Sequence, residues 1–162
     1  MPVVVVRHAH AGSRTFWHGD DRDRPLSPKG REQAELLVPV LSDRFRATRL
    51  LTSPFLRCVD TLVPTAEARG VDVELVDDLA EGNGPATVAL LRGLAGATGS
   101  DGPGVVCCTH GDVAVAVYEA FGPGEGGGVR PTLQKGGLWV LGAPDGTLGL
   151  VEYLPPPVVV PE

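Results

Sequence analysis

The chain opens on an unbroken apolar run of β-branched residues, Val3-Val4-Val5-Val6. A strand with one wet face alternates polar and apolar residues. A continuous run fits a strand buried on both faces, as in a parallel sheet covered by helices. A polar loop follows from about Ala9 to Arg24, and Phe16 and Trp17 among its charges suggest a segment that folds over something. The next pattern is helical: Ser27 as N-cap, Pro28 at the first position, Glu32 in the opening turns, then Ala34, Leu37, Val38 and Leu41 as a stripe. Pro39 interrupts that stripe and predicts a kink or an early stop.

The alternation of strand and helix then continues. Arg49–Thr52 reads as a second strand, and Ser53-Pro54 starts a second helix carrying Phe55, Cys58, Val59 and Leu62, with Pro64 as a further kink and an end near Gly70. Val71, Val73 and Leu75 alternate as a third strand. After the loop Asp78–Pro85, a helix covers roughly Ala86–Ala97; Val105–Thr109 is a fourth, buried strand, and Gly111–Phe121 a helix. Gly122–Gly128 is a Gly-rich surface loop. Leu138–Leu141 and Thr147–Tyr153 are strands joined through the turn Pro144-Asp145-Gly146. The Pro-rich end from Pro155 shows no core face, and neither an internal repeat nor a linker is visible.

Strand and helix in alternation predict an α/β protein: a three-layer α/β/α sandwich on a mostly parallel sheet. Such folds place their sites at the carboxyl ends of strands. That rule selects Arg7-His8, Thr52–Arg57, Asp78–Glu81 and His110.

Composition narrows the picture. At 162 residues the chain is read as one domain over 1–162 with a Pro-rich tail at 155–162, long enough for a sizeable core and too short for a (β/α)₈ barrel. Hydrophobic residues at 43% and charged residues at 21% exclude a disordered chain, and the 22 Gly and 15 Pro are read as loop chemistry. Net charge is −6, unevenly spread. Residues 1–70 hold 11 of the 14 Lys and Arg against 8 of the 20 Asp and Glu, a balance of +3; residues 71–162 hold 3 against 12, a balance of −9. A nucleic-acid binder is normally basic, whereas local arginines on an acidic protein suit a small anionic substrate. A solvated surface without meaning is the plainer alternative. Cys58, Cys107 and Cys108 make a poor disulfide framework and read as reduced core residues. No stretch is long and apolar enough for a signal peptide or membrane span, so the expected place is the cytoplasm, with no membrane partner.

Two imidazoles, two guanidiniums and a carboxylate at one sheet edge form a set suited to phosphoryl transfer. Arg matches phosphate oxygens with paired planar donors, a neutral imidazole can attack phosphorus, and the helix starts at residues 54 and 111 add N–H groups. Competing signatures fail. His8-x-His10 suggests a metal hydrolase of the barrel type, but that barrel does not fit. The Cys residues complete no zinc set. Six residues past Cys58, Cys107 and Cys108 stand Pro64, Val113 and Ala114 rather than the Arg of a cysteine phosphatase, and no G-x-x-x-x-G-K-[ST] occurs.

Arg7-His8-Ala9-His10-Ala11 resembles the RHG/RHA signature of the histidine phosphatase superfamily, the phosphoglycerate-mutase-like fold. Ser53-Pro54-Phe55-Leu56-Arg57-Cys58-Val59-Asp60-Thr61 is similar to its SPxxRxxxT block, Asp78–Glu81 to its acid-bearing region, and Thr109-His110-Gly111 to its second-histidine block. Arg24–Gly30 resembles the RPLTxxG segment of SixA-like phosphohistidine phosphatases. His8–Arg14, Gly19–Arg22 and Lys135–Val140 look like the phosphatase half of Nudix hydrolase–histidine phosphatase fusions, which act on nucleotides. The resemblance spans residues 3 to about 154.

The resemblance implies a hydrolase without a cofactor or metal. His8 would be the nucleophile, transiently phosphorylated; Arg7, Arg57 and His110 would hold the phosphoryl oxygens; Glu81 would give a proton to the leaving group; Arg14 would touch substrate or only solvent. The plainer readings are an Arg57–Asp60 pair on one helix, Glu81 as a loop carboxylate, and His10 and His18 as loop residues. The substrate implied is a phosphomonoester, a nucleotide among them, or a phosphohistidine on a protein. The rivals are a non-catalytic module that binds a phospho-ligand and, less favoured for its short loops, a mutase.

Overall fold

A computed structural model of the chain describes residues 2–96, 104–124 and 128–158. Its frame is a six-stranded sheet in the order β3-β2-β4-β1-β5-β6, made of β1 (Val3–Arg7), β2 (Arg49–Thr52), β3 (Val73–Leu75), β4 (Val105–Thr109), β5 (Leu138–Gly142) and β6 (Gly149–Leu154). The ladders β1/β4, β2/β4 and β2/β3 are parallel; β1/β5 and β5/β6 are antiparallel.

The valine run explains itself in this frame. Val3 and Val5 face one core with Val105 and Cys107; Val4 and Val6 face the other with Val106 and Cys108. Over the first core lie α3 (Gly84–Gly96) and α4 (Gly111–Phe121), through Leu91, Val113, Val117 and Phe121. Over the second lie α1 (Pro28–Pro39) and α2 (Leu56–Arg69), through Leu37, Cys58 and Leu62. This is the expected three-layer α/β/α sandwich on a mostly parallel sheet. All three cysteines are buried and free.

The strand order positions the site. From β1 the chain steps over β4 to β2; from β4 it steps the other way, over β1, to β5. Helix α1, which leaves β1, lies over the second core, and α4, which leaves β4, over the first. Neighbouring β1 and β4 therefore send their outgoing chains apart, which opens a crevice at their carboxyl ends.

Several boundaries differ from expectation. The second helix starts at Leu56, not at Ser53-Pro54. Ser53 prolongs the sheet instead, its N–H donating to Cys108 O at 3.0 Å, and the residue before a proline disfavours the helical region. The α-helix does stop at Pro39, and the chain runs on as a π turn, Val40–Arg44, in which Phe45 N–H donates to Val40 O. Pro64 lies within α2, which ends at Gly70 in the left-handed conformation (φ 66°). The third strand is a short edge on which Leu75 stays exposed. Helix α3 begins two residues early, at Gly84, because Pro85 is tolerated in a first turn; the predicted end at Ala97 and residues 125–127 of the Gly-rich loop lie outside the described residues. The Pro-rich tail shows no core face, as expected: Val158 is exposed, and with Pro157 it lines a surface groove beside Leu36 and Gln33 of α1; residues 159–162 fall outside the described residues.

Candidate active site

His8 follows β1 directly, and its N–H donates to Thr109 O at 3.0 Å, so its backbone continues the β1/β4 ladder. The ring is 6% exposed. Its Nδ1–H donates to Ala9 O at 2.8 Å, which fixes the tautomer and leaves Nε2 with its lone pair at the cleft. Burial pulls the His8 pKa down to about 3, with His110, Arg57 and Arg7 adding to the effect and the Ala9 bond opposing it. The imidazole is thus neutral at physiological pH, the condition for nucleophilic attack.

Arg7 ends β1 and donates from Nη1 to Leu133 O at 3.0 Å. Its guanidinium lies flat against the start of α4: a Cβ on Gly111 would fall 2.7 Å from Arg7 Cζ. Glycine at this position is what admits the arginine.

Arg57, in the first turn of α2, is fully buried. Its Nη1 donates to Asp21 O at 2.9 Å, and its Nη2 to Asp21 Oδ2 and Glu81 Oε1, each at 3.1 Å. The Phe55 ring sits under it, 4.9 Å from Cζ to centroid. The Arg57–Asp60 pairing along the helix does not occur; Asp21 and Glu81 take its place. Asp21 comes from the 9–24 loop, which does fold over the site through a 3₁₀ turn at Asp21–Asp23. Hydrogen bonding from Arg24 and the charges of Arg57 and Arg14 hold the Asp21 carboxyl below its ordinary pKa, although partial burial acts the other way.

His110 closes β4 and stands at the N-cap position of α4, fully buried. Its Nε2 lies 2.8 Å from Ser53 Oγ and 3.5 Å from Cys58 Sγ; its Nδ1 is 3.8 Å from Glu81 Oε1. The His8 and His110 rings meet edge-on at 5.5 Å. Ser53, within the Thr52–Arg57 stretch that the strand-end rule selected, does not start a helix but orients this histidine.

Glu81 joins the network from the loop after β3. Its Oε1 accepts from Arg14 Nη2 at 2.8 Å as well as from Arg57, and the N–H of Gly82 is tied to Asp112 Oδ2 at 2.7 Å. Arg14 also lies 3.4 Å from Asp21 Oδ1. His10 is structural: its Nδ1 meets the Ser27 hydroxyl at 2.6 Å.

All six residues singled out in the sequence therefore come together, in two tiers. Arg7, His8, Arg14 and Glu81, with Asp112 and Lys135, line an open cleft of about 860 Å³. Arg57 and His110 lie beneath it, covered by Phe55, Asp21 and Glu81. Asp21, Asp112, Lys135 and Ser53 are the members sequence reasoning missed as site residues. Lys135 is held beside His8 by its own loop, because Gly136 N–H reaches Arg7 O at 3.0 Å and Gln33 bridges Lys135 O and the N–H of His10. Three buried nitrogens around His8 lack a partner: Arg7 Nε, Arg57 Nε and His110 Nδ1. Such groups are costly in a folded protein, and a ligand rich in acceptor oxygens would satisfy them. Among the described residues no three His, Cys, Asp or Glu side chains group so as to hold a metal ion, and no helix is long and apolar enough to cross a membrane.

Comparison with known proteins agrees with this geometry. The chain is 37% identical over 162 residues to an 8-oxo-(d)GTP phosphatase of Mycolicibacterium smegmatis; the match covers 96% of this chain and 48% of that protein, so the chain spans about half the length of this relative. Among solved structures it is similar to the protein histidine phosphatase SixA complexed with tungstate (TM-score 0.75, 23% identity, 96% of this chain and 97% of that one). It is also similar to a phosphoserine phosphatase of Entamoeba histolytica in complex with phosphoserine (TM-score 0.71, 15% identity, 94% and 95%). At these identities the two structures speak for the fold. The sequence profile of the histidine phosphatase superfamily, branch 1, matches residues 3–89, over half of the chain and both the Arg7-His8 and Arg57 blocks. The chain belongs to that superfamily.

Proposed function

We propose that the chain is a phosphatase that works through a phosphohistidine on His8. The observation that carries this reading is the His8 ring itself: buried, neutral, locked through Nδ1 and open to the cleft at Nε2. Nε2 attacks phosphorus, the bond from phosphorus to the leaving group breaks, and Glu81, which takes up a proton from solvent once it is released from Arg57, passes that proton to the leaving group. Water then attacks the phosphorus of the phosphohistidine and gives a proton to the Glu81 carboxylate, the P–N bond breaks, and inorganic phosphate leaves with neutral His8 and protonated Glu81 restored. Arg7, Arg57 and His110 stabilise the charge on the equatorial oxygens.

Asp21 and Glu81 occupy Arg57 much as phosphate oxygens would. Arg57 is fixed by burial, while both carboxylates are about one-third exposed. An entering phosphate therefore displaces a carboxylate, and Glu81 is freed toward the leaving group by the same event.

The substrate class we favour is a phosphorylated small molecule, specifically a nucleotide. The relative from Mycolicibacterium smegmatis carries a nucleotide phosphatase name, and the cleft wall beyond His8 is cationic through Arg14, Arg24 and Lys135. A protein phosphohistidine is the second reading, favoured by the likeness to SixA. Three free thiols support a place in the reducing cytoplasm. Phosphate release from a panel of nucleotides, sugar phosphates and a phosphohistidine protein, by wild type and His8→Asn, tests the reading. Turnover of at least one substrate class by the wild type alone is expected. Binding of phosphate with no turnover across the panel would instead leave a phospho-ligand binding module.

A further inference from the structure

The polar cleft continues into a second depression. Its walls are Ala11, Phe16, Trp17, Pro25, Leu26 and Ser27, it measures about 210 Å³, and it shares Gly12, Ser13 and Arg24 with the cleft. The two surfaces differ in chemistry. No apolar side chain larger than glycine lines the cleft; the depression is mostly hydrocarbon and aromatic ring. Phe16 is 81% exposed, the most exposed large hydrophobic among the described residues. A phenyl ring held in water forgoes the free energy its burial would give, and nothing in the packing of this fold requires it there. The ring is nevertheless held by local structure. It closes a 3₁₀ turn, Arg14–Phe16, that Ser13 Oγ caps through the N–H of Thr15. The Trp17 indole N–H donates to Asp20 O at 2.9 Å, which occupies its one polar atom. Arg24, whose guanidinium bonds Ala11 O, Gly12 O and Asp21, makes the floor common to both hollows rigid.

We propose that Phe16 and Trp17, backed by Pro25 and Leu26, form the subsite for the base of a nucleotide whose phosphate lies against His8. The inference rests on the nucleotide reading above. The hollow is of a size for one planar ring system. Its continuity with the cleft through Gly12 and Ser13 lets one ligand occupy both, phosphate among the guanidiniums and base against the aromatic rings. Base stacking on aromatic side chains tolerates any base, because every base has a π-face, so this shelf selects for a base over none rather than for one base over another.

Guanosine 5′-monophosphate and ribose 5-phosphate carry the same 5′-phosphomonoester with and without a base, and they separate the two halves of the site. In wild type, KM for the nucleotide should lie below that for the sugar phosphate. Phe16→Ala should raise the nucleotide KM by about tenfold to a hundredfold, in line with the loss of one stacked base. It should leave both kcat values and the KM for ribose 5-phosphate unchanged, and Phe16→Trp should restore the nucleotide KM. Equal KM values in wild type, or a Phe16→Ala increase shared by both substrates, would overturn the subsite. Binding gives an independent readout. Trp139 is fully buried, so quenching of indole fluorescence by guanosine 5′-monophosphate reports on Trp17. Saturable quenching lost in Phe16→Ala, with neither ester turned over, would sustain the subsite while the nucleotide reading of catalysis fails. No quenching by the nucleotide, or quenching only by a phosphohistidine peptide, would overturn the subsite itself.

Discussion

Acid should unfold this protein partly through His8. The ring is buried and its pKa stands at about 3, against an ordinary 6.5 in the unfolded chain. Between those values the unfolded state takes up a proton that the folded state refuses, so stability must fall as pH drops through that window and is fully present above it. Each pH unit between the two values contributes about 1.36 kcal/mol, so a gap of this size is worth roughly 5 kcal/mol once both limits are passed. Only part is felt at moderate acidity: about 1 kcal/mol is lost between pH 7 and 5.5, and about 2.5 kcal/mol by pH 4.5. The perturbation is His8→Gln, which cannot titrate in this range. Urea unfolding of wild type and variant at pH 7, 5.5 and 4.5, in a buffer free of phosphate and sulfate, reads the difference. Carboxylates such as Asp21 titrate in both proteins and cancel. The wild type should lose stability on acidification faster than the variant by the amounts above. Parallel profiles would show that His8 is not held neutral by burial, and the argument for a ready nucleophile would fail with it.

Two further outcomes follow from the same geometry. Glu81→Gln should slow ester hydrolysis by about 10²–10⁴-fold, the usual worth of a positioned proton donor, and slow cleavage of a phosphoramidate or phosphohistidine far less, because imidazole leaves more readily than an alkoxide; equal small losses on both substrates in steady-state assays would remove Glu81 from that role. Gly111→Ala should lower kcat/KM at least tenfold with little change in Tm, since its Cβ would meet the guanidinium at the flexible end of Arg7 at 2.7 Å and shift it, at the expense of its bond to Leu133 O; unchanged kinetics would show that Arg7 does not bind the reacting group.

What the sequence disclosed follows from which forces are local. The doubly buried runs Val3–Val6 and Val105–Thr109 could be read directly, because both faces of those strands meet helices and nearly every position is apolar. The place of His8 and His110 followed, since each comes just after such a run. Local reasoning failed where a partner lies far along the chain. Asp60 is the near neighbour of Arg57, yet the arginine turns to Asp21, 36 residues earlier, and to Glu81, 24 residues later. Ser53 has the look of a helix start, but its hydroxyl is taken by His110, 57 residues on, and its N–H by β4. Asp21 lay in a run of alternating charge, Asp20 to Arg24, that reads equally well as a solvated loop. No spacing rule distinguishes it until three guanidiniums are brought around it by the fold.

The central claim is a covalent phosphoryl group on His8, and it can be tested on the intermediate itself. Wild type mixed with a ³²P-labelled substrate for milliseconds and quenched in denaturant at alkaline pH should retain label on the protein. That label should survive base, be lost in mild acid as a phosphoramidate is, and map to the peptide containing Arg7-His8; His8→Asn should retain none. Label stable to acid, label that persists in His8→Asn, or wild-type turnover with no trapped label under single-turnover conditions would contradict the account.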